Sequence, residues 1–165
     1  MGFRLHPLFL FFHILFAIVW VGGLFFIGWS AVSAYKYMPY KEQRLLLRRL
    51  MKWFHLPLLC AGIGVIVTGI LLGTLSGPIH DWKSIWHSTF GHLWATAFII
   101  GALSLTWGAW IGYRHALKLL GNEPLWANAD HGAKKPLHKA LLRLLLIEAI
   151  EPAGILALII IMVFL

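Results

Sequence analysis

The chain has 165 residues, of which 60% are hydrophobic and only 12% are charged, and its mean hydropathy is +0.80. Soluble domains are closer to half apolar, so this composition argues against a soluble enzyme and indicates a membrane protein. The formal net charge of +8 would suit a nucleic-acid-binding protein, but the placement of the charges, described below, argues against nucleic acid as a partner. The length allows a single domain covering residues 1–165.

Four apolar runs are each long enough to cross a bilayer, which takes roughly 20 helical residues. The first run is too long for the hydrophobic region of a typical cleaved signal peptide, and we interpret it as a retained span. The sequence therefore predicts an all-α fold, a membrane-spanning bundle of four helices. The runs cover residues 7–33, 53–76, 92–113 and 141–165.

The segments between these runs differ in character. Residues 41–55 alternate basic residues with leucines at helical spacing, which predicts that span two continues as an interfacial helix. In the loop 77–92, Trp82 and Trp86 are four residues apart, which favours a short helix at the membrane surface. Residues 121–136 carry turn-forming residues and few apolar ones, and we predict an irregular loop there.

The positive charges indicate the orientation of the bundle. Only Arg4 and Lys83 lie on the side opposite the other basic residues. The positive-inside rule places the two basic loops in the cytoplasm and both termini outside, and we expect the inner membrane of a prokaryote. The twelve remaining basic residues are Lys36, Lys41, Arg44, Arg48, Arg49, Lys52, Arg114, Lys118, Lys134, Lys135, Lys139 and Arg143.

Several of the nine histidines share a depth in this topology. His13 and His92 both lie near the outer face, whereas His55, His115 and His138 lie near the cytoplasmic face. A low-spin haem iron takes two axial imidazoles from facing helices at equal depth. The pattern predicts one or two molecules of haem b. The expected ligand pairs are His13 with His92, and His55 with His138, with His115 as the substitute in the inner pair.

Small residues line one face of spans two and three. Gly62, Gly69 and Gly73 share the face of His55 in span two, and span three carries a similar stripe. Such stripes allow helices to approach closely in lipid. A flat wall for a porphyrin is the second interpretation, and the two are compatible.

Two carboxyl groups lie inside span four. Glu148 and Glu151 are three residues apart and therefore share a helix face, and Pro152 follows them and predicts a kink. Ionisable residues inside a membrane are rare and usually functional. We interpret the pair as a proton relay, or as hydrogen-bond partners for a quinone, a haem propionate or a ligand histidine. The structural alternative is a carboxyl group bonded to the backbone that Pro152 leaves free.

Residues 12–25, FHILFAIVWVGGLF, carry a histidine, a tryptophan seven residues later and then two glycines. This pattern resembles the first helix of a group of small membrane proteins that includes CopD-like copper-resistance membrane domains and HemJ-type protoporphyrinogen oxidases. His92 lies where HemJ-like proteins start a helix with a histidine, and Glu151 with Pro152 resembles the end of their last helix. The resemblance implies four membrane helices and, for the HemJ type, haem b with His13 as a ligand.

We therefore predict a haem b-binding electron-transfer protein, similar to a cytochrome b and linked to quinol. It would act alone, as a homo-oligomer or as a small subunit of a respiratory complex, with quinone or a redox protein as partner, and Trp20 would pack on the porphyrin. One alternative is a protoporphyrinogen oxidase, which would make the protein an oxidoreductase. Another is a copper transporter that binds the metal outside through His80, His87 and His92. The last is an accessory subunit without a cofactor.

Overall fold

Four long helical rods make up the protein. A computed structural model describes residues 5–165, and the regular elements in this range are all helical. Each rod is long and apolar enough to cross a membrane, which confirms the four predicted helices of membrane-spanning length. Each rod also extends past its predicted apolar run at the basic end. The rods are His6–Tyr37, Tyr40–Ser76, Thr89–Gly121 and Lys134–Val163.

The first two rods are joined by a tight turn. Helix α1 (His6–Tyr37) begins with a proline in its first turn, where the missing amide costs nothing, and α2 (Tyr40–Leu71) follows directly after Pro39. The basic segment 41–55 belongs to α2 without a break, as predicted. A π-helical segment, Leu72–Ser76, completes the second rod. This rod is roughly 55 Å long at 1.5 Å per residue, well beyond the ~30 Å hydrocarbon core of a bilayer, so its apolar part alone is long enough to cross one.

The connection at the other end of the bundle contains the predicted short helix. Helix α3 (Trp82–His87) holds Trp82 and Trp86 with ring centroids 5.7 Å apart, and α4 (Thr89–Thr106) follows it. Side chains cap both helices: the Asp81 carboxylate accepts the amide of Ser84 at 2.7 Å, and the Ser88 hydroxyl accepts the next helix's amide at 2.9 Å. These caps explain why two helices form within so short a segment.

We expect α3 to be sensitive to acid through its cap. The amide and the hydroxyl of Ser84 both donate to Asp81, and these bonds hold the pKa of Asp81 below its ordinary value. Because its pKa is lowered on folding, the Asp81 carboxylate stabilises the folded form when the pH is above the ordinary pKa of aspartate. This stabilisation is lost as the pH falls through the lowered pKa. Protection of the Ser84 amide from hydrogen exchange should therefore fall below about pH 4. Asp81→Asn keeps an oxygen acceptor without a charge, and equal pH dependence in that variant would contradict the prediction.

The prediction of an irregular loop at residues 121–136 is wrong, because most of these residues are helical. The third rod continues from α4 through a second π-helical segment, Trp107–Gly112, into α5 (Tyr113–Gly121), and α6 (Glu123–Asp130) follows directly. The Asn122 side chain accepts the amide of Leu125 at 3.3 Å and so caps α6. Asn122 and the residues after it, from which we predicted a turn, are therefore the start of a helix. Burial of Trp126 then holds this helix against the bundle.

The fourth rod is interrupted where its proline predicts a kink. Helix α7 (Lys134–Glu148) and helix α8 (Ile150–Val163) are separated by the single residue Ala149. Trp107 donates its indole N–H to the carbonyl of Ile147 at 2.8 Å, so a side chain of the third rod bonds the backbone beside the break.

Two apolar clusters hold the rods together. The first lies in the middle of the bundle and draws on all four rods, and the second joins α5, α6 and α7 to α2 at the basic end. An ion pair of 3.1 Å between Arg44 and Glu123 adds a contact there. The two basic connections therefore share one end of the bundle, as the charge pattern predicts; that this end faces the cytoplasm stays a prediction. The clusters consist of Trp20, Ala61, Val65, Leu105 and Ile155, and of Leu120, Trp126, Ala129 and Leu137.

Candidate functional site

His13 is buried between the first two rods, with only 8% of its surface exposed. Its Nδ1 lies 2.9 Å from the hydroxyl oxygen of Thr68 on α2. That hydroxyl also lies 2.6 Å from the carbonyl of Gly64 and 3.2 Å from that of Val65, and a carbonyl can only accept. Because Thr68 has one proton and donates it to the backbone, it accepts the Nδ1–H of His13. Nε2 of His13 therefore keeps its lone pair.

The glycine face of span two is filled by side chains. A Cβ on Gly69 would lie 3.3 Å from the imidazole of His13, one on Gly62 would overlap Leu105, and one on Gly73 would overlap Trp94. These contacts confirm the packing interpretation of the glycine stripe. The structure has no open wall for a porphyrin along this face.

Trp20 and Glu151 form a buried hydrogen bond between the first and the last rod. The indole N–H of Trp20, whose side chain is 2% exposed, donates to Oε1 of Glu151 at 2.9 Å. In the interior of a membrane protein such a bond joins two groups that water does not reach. The indole N–H of Trp20 therefore bonds to a carboxyl group. Packing of its ring on a porphyrin stays a prediction.

The second π-helical segment makes room for both carboxyl groups. A Cβ on Gly108 would overlap the carboxylate of Glu151, and one on Gly112 would lie 3.0 Å from Oε1 of Glu148. Gly108 and Gly112 are four residues apart and line the side of this segment that faces the fourth rod. Local π-helical geometry often occurs at functional sites, where it changes the direction of side chains. The result is a carboxyl pair enclosed between the third and fourth rods.

Glu148 differs from Glu151 in its bonding. Oε1 of Glu148 is buried and has no hydrogen-bond partner among residues 5–165. Leaving a buried acceptor unpaired costs about 1–3 kcal/mol, so this oxygen is suited to a proton, a water molecule or a ligand group. Within the same residues, neither carboxyl group bonds to the backbone near Pro152, which is what the structural alternative required. The predicted shared face of the two glutamates is therefore a polar centre inside the bundle.

The three histidines at the basic end each have a separate neighbour. His55 stacks on Tyr113 with ring centroids 3.7 Å apart and planes inclined by 12°. His138 has its Nε2 3.3 Å from the hydroxyl of Tyr35 and 3.4 Å from that of Tyr40. His115 is exposed, and its Nδ1 donates to a backbone carbonyl of its own rod at 2.9 Å. These contacts hold the rings in place without joining His55 to His138, so that pair stays a prediction.

The outer histidines also have partners of their own. His92 is exposed, and its Nε2 donates to the carbonyl of Trp86 at 2.9 Å, whereas His13 bonds to Thr68. The pairing of His13 with His92 stays a prediction. In the part of the chain that the structure describes, no group of three or more His, Cys, Asp or Glu side chains lies close enough to hold a metal ion. The copper alternative through His80, His87 and His92 therefore gains no preformed site.

Sequence reasoning missed Thr68. Threonine is common in apolar helices, where its hydroxyl bonds to the preceding turn, so it does not stand out as a histidine does. The depth argument applied to the histidines would have found it. Thr68 lies eight residues before the end of the second rod, and His13 lies seven residues after the start of the first.

The fold and the centre define an all-helical protein with four rods of membrane-spanning length and a polar centre of imidazole, indole and carboxyl groups. Comparison with protein-family models, with curated proteins and with solved structures finds no match for this chain.

Proposed function

We propose that the protein is an integral membrane electron-transfer protein, linked to quinol oxidation, that binds haem b through His13. The observation that carries this proposal is the bonding of that imidazole. A metal-ligating histidine offers one nitrogen to the metal and donates its other N–H to a fixed partner, which sets the tautomer and the ring orientation. Thr68 is such a partner for Nδ1, and Nε2 retains the lone pair that iron requires.

His92 is the proposed second ligand, and His55 with His138 remains the proposed pair for a second haem. Because side chains fill the glycine face of span two, the proposal depends on the donor chemistry of His13 and not on a preformed cavity. When bound, haem b supplies a one-electron redox centre.

The carboxyl pair supports the link to quinol. Oxidation of a quinol to a quinone releases protons together with electrons, so a quinol-linked protein needs proton acceptors in its interior. Glu148 has a buried oxygen without a partner, and Glu151 is oriented by the indole of Trp20. We assign Glu148 the role of accepting a proton or a quinol hydroxyl, and Glu151 the role of passing the proton on.

An absorption spectrum of the purified protein tests the proposal. The protein should be produced in cells supplied with haem precursor and purified in mild detergent. We expect a reduced-minus-oxidised α-band after dithionite, and a haem b assignment in alkaline pyridine, with at least one haem per chain. A folded, full-length preparation without this band would overturn the haem proposal.

One alternative is favoured by a specific observation. Side chains already fill the space beside the glycines, so the bundle is packed without a cofactor. This favours an accessory subunit that binds no cofactor and contributes only the carboxyl pair to a larger complex. In that case the isolated chain would be colourless and would co-purify with a larger respiratory complex.

A further inference from the structure

We propose that α2 binds the phosphate headgroup of an anionic phospholipid at the basic end of the bundle. The site is a shallow groove of about 320 Å³ on the surface of this helix. The residues that line it follow one another at steps of three, one, three and one, which places them on one helix face. They are Leu45, Arg48, Arg49, Lys52 and Trp53, and we call them the basic groove.

The depth of the basic groove matches the headgroup region of a bilayer. Lys52 is the last Lys, Arg, Asp or Glu of α2, and the helix beyond it is mostly apolar. Trp53 follows immediately and is 81% exposed. Tryptophan is enriched at the level of the headgroups, where its ring contacts the acyl boundary and its N–H remains accessible to polar groups. The groove therefore joins cations to an aromatic ring at the boundary between the charged and apolar parts of one helix.

Within residues 5–165, no carboxylate forms an ion pair with the cations of the basic groove. In the described part of the chain the ion pair found is that of Arg44 with Glu123, and Arg44 is buried whereas Arg48, Arg49 and Lys52 are exposed. Guanidinium groups bind phosphate oxygens in a bidentate manner, and an ammonium group adds a point charge. Three unpaired cations within two helical turns thus present a site for one phosphodiester.

A lipid fits the basic groove better than a soluble anion. A free phosphate would use the cations but would gain nothing from the exposed ring of Trp53. The headgroup of an anionic lipid satisfies the cations while its glycerol and upper acyl region contact that ring. This inference does not depend on the proposed haem at His13, because the basic groove lies at the opposite end of the bundle. The proposed second pair, His55 with His138, lies at the basic end, but neither histidine lines the groove.

Lipid retention in nanodiscs tests the inference. The full-length protein is reconstituted in an equal mixture of phosphatidylcholine and phosphatidylglycerol, and the lipids that stay bound on extraction are quantified by mass spectrometry. The test variant is Arg48→Gln/Arg49→Gln/Lys52→Gln. The matched control, Lys134→Gln/Lys135→Gln/Lys139→Gln, removes the same charge from exposed positions at the same end. We expect the wild type and the control to retain phosphatidylglycerol selectively, and the test variant to lose about fivefold in retention per cation removed.

Three results would overturn the inference. The first is no enrichment of phosphatidylglycerol in the wild type. The second is an equal loss in both triple variants, which would mean that only net charge matters. The third is displacement of the lipid by inorganic phosphate with the same effectiveness in the wild type and in Trp53→Ala, which would identify a site for a free anion. Matching thermal unfolding of all variants shows that a loss is not due to misfolding.

Discussion

Trp20→Ala is expected to lower the free energy of unfolding by about 3 kcal/mol. Trp20 belongs to the central apolar cluster, and its removal would leave a cavity among residues of all four rods. In a soluble core the cost of such a change is roughly 3–5 kcal/mol. We expect the lower end here because lipid is as apolar as the protein interior, so little transfer energy is lost. The cost then comes from the cavity and from the unpaired carboxyl group of Glu151.

Two further variants separate these contributions. Trp20→Phe removes the indole N–H while filling most of the space, and should cost about 1 kcal/mol, as interhelical hydrogen bonds in membranes do. Glu151→Gln keeps a carbonyl oxygen that can accept the indole N–H, so it should be closer to neutral. A double-mutant cycle of Trp20→Phe with Glu151→Leu, each of which removes the bond, isolates its energy.

Unfolding in mixed micelles with increasing SDS measures these differences. Trp29→Ala provides the control because Trp29 lies on the same helix and is 76% exposed. A change there should stay within about 0.5 kcal/mol. If Trp20→Ala is no more destabilising than Trp29→Ala, the first and last rods do not pack as described.

The four rods could be predicted from the sequence because each span depends on local hydropathy. The basic end could be predicted because the charges lie between the apolar runs. The short helix α3 was also predictable from the spacing of Trp82 and Trp86. Helix α6 was not, because an asparagine followed by Glu-Pro is typical both of a turn and of a helix start. The burial of Trp126 decides between them, and burial depends on contacts with α2 and α7 that no local pattern contains.

The candidate site was predictable only in part, for a geometrical reason. Topology gives each side chain a depth, but it does not give the rotation of a helix about its axis or the order of neighbouring rods. Glu148 and Glu151 could be placed on one face because their spacing within a helix determines that. The partner of Glu151 is Trp20, 131 residues away, and the partner of His13 is Thr68. Both pairs depend on which rods are neighbours.

The second large effect is expected at His13. His13→Ala should abolish binding of the haem that this residue is proposed to hold. Thr68→Val should weaken that binding roughly 10- to 100-fold, since this is the usual effect of removing the partner of a metal-ligating histidine. Valine has nearly the shape of threonine but no acceptor for Nδ1–H, so the ring loses its fixed tautomer and orientation. Thr68→Ser restores the acceptor and should bind as the wild type does.

Titration of the apoprotein with haemin, followed by the reduced-minus-oxidised α-band, measures the affinities. His131→Ala is the control, because His131 is exposed and is not among the proposed haem ligands. The pattern of losses distinguishes two roles of Thr68. If Thr68 only supports packing between the first two rods, Thr68→Val should lower stability and haem affinity together. If it orients a ligand, haem affinity falls while the SDS concentration at half-unfolding of the apoprotein stays within the range of Thr68→Ser. Equal haem affinity in Thr68→Val and the wild type would contradict the role of Thr68 and leave His13 to be tested alone.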